Sequence, residues 1–91
     1  MYLAKVIGTV VSTSKDERLI GFKLLLARRI DEQGEQIGSP EICVDTVGAG
    51  SGELVIVTEG SSARNAVDRP DSPVDAAIVG IVDTVEIDQG S

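Results

Sequence analysis

A run of alternate glycines, Gly48-Ala49-Gly50-Ser51-Gly52, separates two short apolar stretches, Ile42 to Val47 and Leu54 to Val57, and Gly60-Ser61-Ser62 follows the second. Glycine tolerates positive φ and lets another backbone or a ligand come close, so this string specifies a loop whose work is done by main chain. Apolar runs this short, bounded by turn signals, have the length of strands. The order is strand, loop, strand, short helical turn. The loop is either a binding loop or a packing surface.

The rest of the chain reads as strands of the same kind. Tyr2 to Val11 is β-rich, with Ala4, Val6, Gly8 and Val10 on one face and the mixed set Leu3, Lys5, Ile7, Thr9 and Val11 on the other. Ser12 to Arg18 is a polar turn, a solvated hairpin end with an inter-subunit contact at Lys15 as the sharper alternative. Gly21 to Ile30 mixes helix-favouring Leu, Ala and Arg with flanking turn signals; its length assigns it to a strand, antiparallel to the first. Asp31 to Pro40, with Gly34, Gly38 and Pro40, is a surface loop. Cys43 sits between Ile42 and Val44 with no neighbouring His or basic cluster, which reads as a buried, inert small hydrophobe.

Beyond the fourth strand, Ser61 or Ser62 is placed to cap a short helix, and the cap outweighs a nucleophile because neither serine has a His or lysine partner in sequence. Arg64 ends that turn, free to meet carboxylates or carbonyls. Asp68 to Pro73 is an extended connector, since proline biases its predecessor away from helix. The last strand, Val74 to Ile87, holds Ala76-Ala77-Ile78-Val79-Gly80-Ile81-Val82, apolar on both faces. A small all-β domain has one core, so a strand buried on both sides needs a cover, and a second copy of the chain is the simplest one. A specific interface buries about 800 Å² per partner. The C-terminal Asp88-Gln89-Gly90-Ser91 is expected to fray.

Composition sets bounds on function. There is no His and no Trp, and the sole Cys is accompanied by only two aromatics, Tyr2 and Phe22. The usual general base near neutral pH is missing, which argues against an enzyme. Fifteen acidic against eight basic residues give a net charge of −7, with no basic cluster beyond Arg28-Arg29, so neither nucleic acid nor an anionic membrane surface is expected as a partner. A lone Cys makes no intrachain disulfide, and no apolar run approaches the roughly 20 residues that span a bilayer. The expectation is a soluble, cytosolic domain. At 91 residues it is one domain, burying about 60–65% of its unfolded surface, and oligomerisation would cover more.

Five such strands with one short helix suit a small closed barrel, since closure removes exposed edges. The motifs now form an ordered set: Val6-x-Gly8-x-Val10 with Thr13-x-Lys15, Leu19-x-Gly21-x-Lys23-Leu24-Leu25, and Val44-Asp45-x-Val47-Gly48-Ala49-Gly50-x-Gly52-Glu53. Gly60-Ser61-Ser62-Ala63-Arg64 and Pro73-Val74-Asp75-Ala76-x-Ile78-Val79-Gly80-Ile81-Val82-Asp83 complete it. In this order they resemble the pentameric vertex proteins of bacterial microcompartments, the family of the carboxysome vertex proteins and their ethanolamine-utilisation relatives. The resemblance implies an all-β, five-stranded OB-like barrel that forms a cyclic pentamer, a homopentamer set among hexameric shell proteins, with no catalytic residue, cofactor or metal. It places the chain in the shell of a cytoplasmic microcompartment. Subunit-interface or axial-loop candidates are Gly48, Ala49, Gly50, Ser51, Gly52, Glu53, Ser61, Ser62, Arg64, Ile78, Val79 and Ile81. Five copies of Glu53 around an axis would crowd like charges, so Glu53 needs a donor, either Arg64 or a backbone N–H.

Two rivals use the same features. An OB-like ligand or single-strand nucleic-acid binding module needs stacking aromatics and a basic groove. A nucleotide-binding enzyme rests only on the glycine string, which lacks both the Gly-Lys-Ser/Thr ending of a P-loop and the GxGxxG spacing.

Overall fold

The computed structural model describes residues 1–13 and 15–88; Ser14 of the polar turn and Gln89, Gly90 and Ser91, where fraying was expected, lie outside the described residues. Strands β1 (Tyr2–Val10), β2 (Lys23–Arg29), β3 (Glu41–Asp45), β4 (Leu54–Glu59) and β5 (Ala76–Val82) close into a barrel in the order β1-β2-β3-β5-β4. Every neighbouring pair is antiparallel except β3 and β5, which run parallel over two residue pairs, Val44↔Ala77 and Asp45↔Ile78. One helix, α1 (Gly60–Ala66), and a short 3-10 turn over Glu17–Leu19 complete the described elements. The segment Gly21 to Ile30 is thus a strand paired with the first, as its length required.

Alternation along the strands fills the barrel interior. Ala4, Val6, Leu25, Ala27, Cys43, Val55, Val57, Ala76 and Ile78 meet there with Ala49 of the glycine loop. The face assignment of β1 holds only to Val6. A β-bulge at Ile7 pairs Val6 with Ala27 but Gly8 with Leu26, so Gly8 and Val10 turn outward beside Leu26 and Leu24. A single extra residue moves every later side chain to the other face, which a period-two reading cannot foresee.

A second, smaller core lies outside the barrel wall, where Val44, Ala63, Val74 and Ala77 pack with Leu19, Phe22, Leu24, Val67 and Val79. This corrects the expectation for the last strand. Its outward face at Ala77 and Val79 is covered by α1 and the connector of the same chain, not by a second copy, and the strand ends at Val82 instead of Ile87. Arg18 ties the outer layer together: its Nη1 donates to the Asp71 carbonyl at 2.7 Å and its other nitrogens bind the Asp16 carboxylate. Arg69 lies over the Phe22 ring at 4.6 Å and donates to the Arg18 carbonyl.

The serine cap is also corrected. The helix begins at Gly60, so Ser61 and Ser62 sit in its first turn, and the N-cap residue Glu59 makes no side-chain cap bond. Gly60 takes a positive φ of 62° to turn the chain off β4 and donates its N–H to the Asp75 carbonyl at 2.9 Å. The residue just before β5 therefore supplies an acceptor for one of the helix's free first-turn N–H groups, the task expected of a capping serine.

Candidate functional site

The glycine loop is held by side chains from three sides. Asp45, at the last position of β3, accepts from the N–H of Val47 at 3.1 Å with one oxygen and from the N–H of Ala49 at 2.9 Å with the other. This capture of the next residues' N–H groups is why the strand stops at Asp45 instead of running to Val47. The Asp45 side chain is 2% exposed, and Lys23 Nζ lies 3.9 Å from it. That same ammonium donates to the Ala49 carbonyl at 2.8 Å. Thr46 adds a hydroxyl bond to the Ile78 carbonyl at 2.7 Å, tying the loop to β5.

The far half of the loop is closed by Glu53, whose Oε1 accepts from the Gly50 N–H at 2.6 Å. A Cβ at position 50 would stand 3.3 Å from that oxygen, so a side chain there would push the carboxylate back by a few tenths of an ångström. Gly52 donates to the Val6 carbonyl at 2.8 Å and Val6 to the Glu53 carbonyl at 3.0 Å, which stitches the loop to β1. Gly48 and Gly52, at φ 81° and 86°, make the two left-handed turns this path needs. Between them Ala49 is driven into the barrel mouth, fully buried.

This geometry decides what the loop does chemically. A phosphate cradle needs several N–H groups left pointing at a ligand. Here the N–H groups of Val47, Ala49, Gly50 and Gly52 are consumed by Asp45, Glu53 and Val6. Two of those acceptors are carboxylates, which repel anions. The loop is a plug and a surface, and most of the donors that the nucleotide reading would need are already taken. The donor anticipated for Glu53 is a backbone N–H, not Arg64, whose Nη1 donates to the Val74 carbonyl at 3.3 Å.

The other expected residues are spread over the fold. Ser61 and Ser62 are exposed on α1, and Arg64 in its last turn is half-buried. Ile78 points into the barrel and Val79 into the outer core, so the fold itself takes up both. Ile81 is 40% exposed at the end of the strand. Sequence reasoning quoted Asp45 and Lys23 within motifs without giving them a part. The signal was an Asp followed at two and four residues by loop positions able to donate to it. The two aromatics are each covered by an arginine of the same chain, Tyr2 by Arg29 at 4.1 Å and Phe22 by Arg69. Neither face is a free stacking platform for a base.

A family model described as ethanolamine utilisation protein EutN/carboxysome matches residues 1–83. The chain belongs to this EutN/CcmL family. Among its relatives, the bacterial microcompartment shell vertex protein GrpN of Rhodospirillum rubrum is 62% identical over 86 residues, which is 94% of this chain and 97% of the relative. The shell vertex protein PduN of Salmonella typhimurium is 54% identical over 89 residues, covering 93% and 98%. The solved structure of the GrpN pentameric microcompartment shell protein superposes with a TM-score of 0.87 at 61% identity, over 96% of this chain and 99% of that one. The family match ends just after β5, so the segment that follows lies outside it. The glycine loop, α1 and both cores all fall within the matched stretch. No helix among the described residues is long and apolar enough to cross a membrane.

Proposed function

We propose that this chain is a structural shell protein that forms the pentameric vertices closing a bacterial microcompartment. The observation that carries the reading is likeness over almost the whole chain to shell vertex proteins, one of them solved as a pentameric shell protein. The physical logic agrees with it. A flat layer of six-fold tiles cannot close, and five-fold positions supply the curvature; a head-to-tail contact that closes after five copies makes such a tile. Its neighbours in this reading are hexameric shell proteins. The role is structural: most of the glycine loop's backbone donors are taken by Asp45, Glu53 and Val6, leaving the loop as shape.

Within the ring, the Gly48 to Glu53 loop is assigned to backbone near the five-fold axis, and Ser61, Ser62, Arg64 and Ile81 to contacts between subunits. A loop with most of its N–H groups bonded inside its own chain presents the same surface five times. Five copies of a chain of charge −7 give a ring of about −35 before pairing, so rim contacts with neighbouring tiles favour basic patches and weaken with salt.

Native mass spectrometry tests the ring directly. Five chains of 9.5 kDa give a dominant species of about 47.5 kDa. A stable monomer at micromolar concentration would remove the ring, and a hexamer would keep the family and remove the vertex role. The rival reading, a single-domain binding module, predicts a monomer that shifts the polarisation of a labelled oligonucleotide or nucleotide.

A further inference from the structure

The barrel wall carries an apolar strip with no covering layer. Leu26 and Ile42 face each other across β2 and β3 on the outside, and Ile42 is 56% exposed. The strip runs into a groove of about 330 Å³ lined by Val10, Leu24, Val44 and Val74, with Lys15 among its lining residues. Beside Ile42 the sheet has an open edge, because the pairing of β3 with β5 begins only at Val44. At the other end of the strip Lys5 and Arg28 stand directly opposite one another on the outward face. Like charges in that register repel, and neither side chain has an ion-pair partner among the described residues. In a chain of net charge −7 this is an uncompensated basic spot next to an uncovered apolar one.

The segment after β5 has the complementary chemistry. Asp83-Thr84-Val85-Glu86-Ile87-Asp88 alternates with period two and carries three carboxylates around two apolar side chains. Val85 and Ile87 are 45% and 46% exposed. Residues 84–88 have no hydrogen bond to the rest of the described chain. Extended, these six residues reach roughly 20 Å, enough to lie along the strip.

We infer that residues 83–88 of one copy seat on the strip of the next copy, with Val85 and Ile87 against Ile42, Leu24 and Leu26, and the acids toward Lys5, Arg28 and Lys15. Donor and acceptor are different surfaces of one chain, so the contact is head-to-tail, as a closed ring requires. The inference rests on the ring reading and adds to it the surfaces that meet.

Charge exchange tests it. One variant carries Asp83→Lys, Glu86→Lys and Asp88→Lys; a second carries Lys5→Glu and Arg28→Glu; a third combines all five. Native mass spectrometry across a dilution series reads the ring-to-monomer midpoint, and circular dichroism confirms that each chain is folded. Each partial variant is expected to raise the midpoint at least about tenfold, and the combined variant to return to within about threefold of the unaltered protein. A ring of unchanged midpoint in both partial variants overturns the arm contact while leaving the ring standing. Failure of the combined variant to recover, with circular dichroism intact, overturns the pairing of these two surfaces. A monomer from the unaltered protein defeats the ring and this contact together. If the arm instead packs on its own barrel, along the pocket formed with Leu3, Ile30 and Leu54, Val85→Asp lowers the melting temperature of dilute monomer and leaves the midpoint alone, which also overturns it.

Discussion

The barrel has two ends, and they are closed by different means. Where β3 leaves and β4 enters, main chain does it: Ala49 fills the mouth, and Asp45, Lys23 and Glu53 hold the surrounding loop in one geometry through directed bonds. Where β1 and β3 begin, a side chain does it. The Tyr2 ring packs on the core beneath the Arg29 guanidinium, and a polar pocket of about 180 Å³ with Glu41, Glu59 and Ser39 opens beside it. A set of bonds to fixed N–H groups admits one arrangement, whereas a ring under a cation slides at little cost. The loop end is suited to identical contacts in every copy. The Tyr2 end is where the barrel opens first.

The largest effect therefore belongs to the loop end. Asp45→Ala leaves the N–H groups of Val47 and Ala49 without their acceptor and Lys23 without its counter-charge, at a carboxylate that is itself almost wholly buried. A buried donor left unmade costs about 1–3 kcal/mol, so the loss is about 3 kcal/mol, read as a urea midpoint of the isolated chain. Asp45→Asn keeps one acceptor oxygen and loses less. If Asp45→Ala costs under about 1 kcal/mol, the loop is held by its glycines alone and the contrast between the ends fails.

How much of this was readable beforehand follows from the range of the interactions involved. Strand existence and order came from short apolar runs between turn signals, because those are local. Barrel closure followed from the need to remove exposed strand edges, and the resemblance supplied the ring of five, which no local pattern encodes. What was missed depends on contacts across the fold. The bulge at Ile7 shows only against β2, the cover over Ala77 comes from α1, and the Gly60 N–H finds its acceptor fifteen residues on at Asp75. Glu53 was expected to need a donor, and it has one three residues earlier at Gly50, a distance at which the sequence was sufficient. Lys23 meets Ala49 from the other side of the loop, and nothing in its own neighbourhood announced it.

At the Tyr2 end the effect is smaller and has a direct reporter. Tyr2→Ala removes a half-buried ring and its contact with Arg29, a loss of about 2 kcal/mol, while Tyr2→Phe stays within about 0.5 kcal/mol. Cys43 lies in the core that the ring covers, so its alkylation by iodoacetamide in the folded protein should accelerate in Tyr2→Ala and far less in Asp45→Ala. Equal acceleration in both would mean that the ends open together. The thiol also gives this end a pH signature. Burial, reinforced by Glu41 and Glu59, pushes its pKa from the ordinary 9.0 up to about 12. The folded thiol thus holds its proton where the unfolded one loses it, so stability is complete below pH 9.0 and declines through the window up to about 12. At pH 10 the thiol's share of the decline is about 1.4 kcal/mol, and Cys43→Ala should remove that share; burial raises the Tyr2 phenol as well, which leaves a second decline at higher pH.

The smallest effect, at Glu53, has opposite signs in the chain and in the ring. Within one chain Glu53→Gln exchanges a charge-assisted bond to the Gly50 N–H for a neutral one, costing the monomer about 0.5 kcal/mol. If the loop surrounds the five-fold axis, the same change removes five carboxylates that repel one another there. The ring of Glu53→Gln should then survive dilution better than the unaltered ring at low salt, and the advantage should disappear near about 0.5 M salt, where charges are screened within a few ångströms. A ring that weakens in step with the monomer would place Glu53 away from the axis. The rigid end of the barrel would then face outward or toward a neighbouring tile, and its rigidity would serve that contact instead.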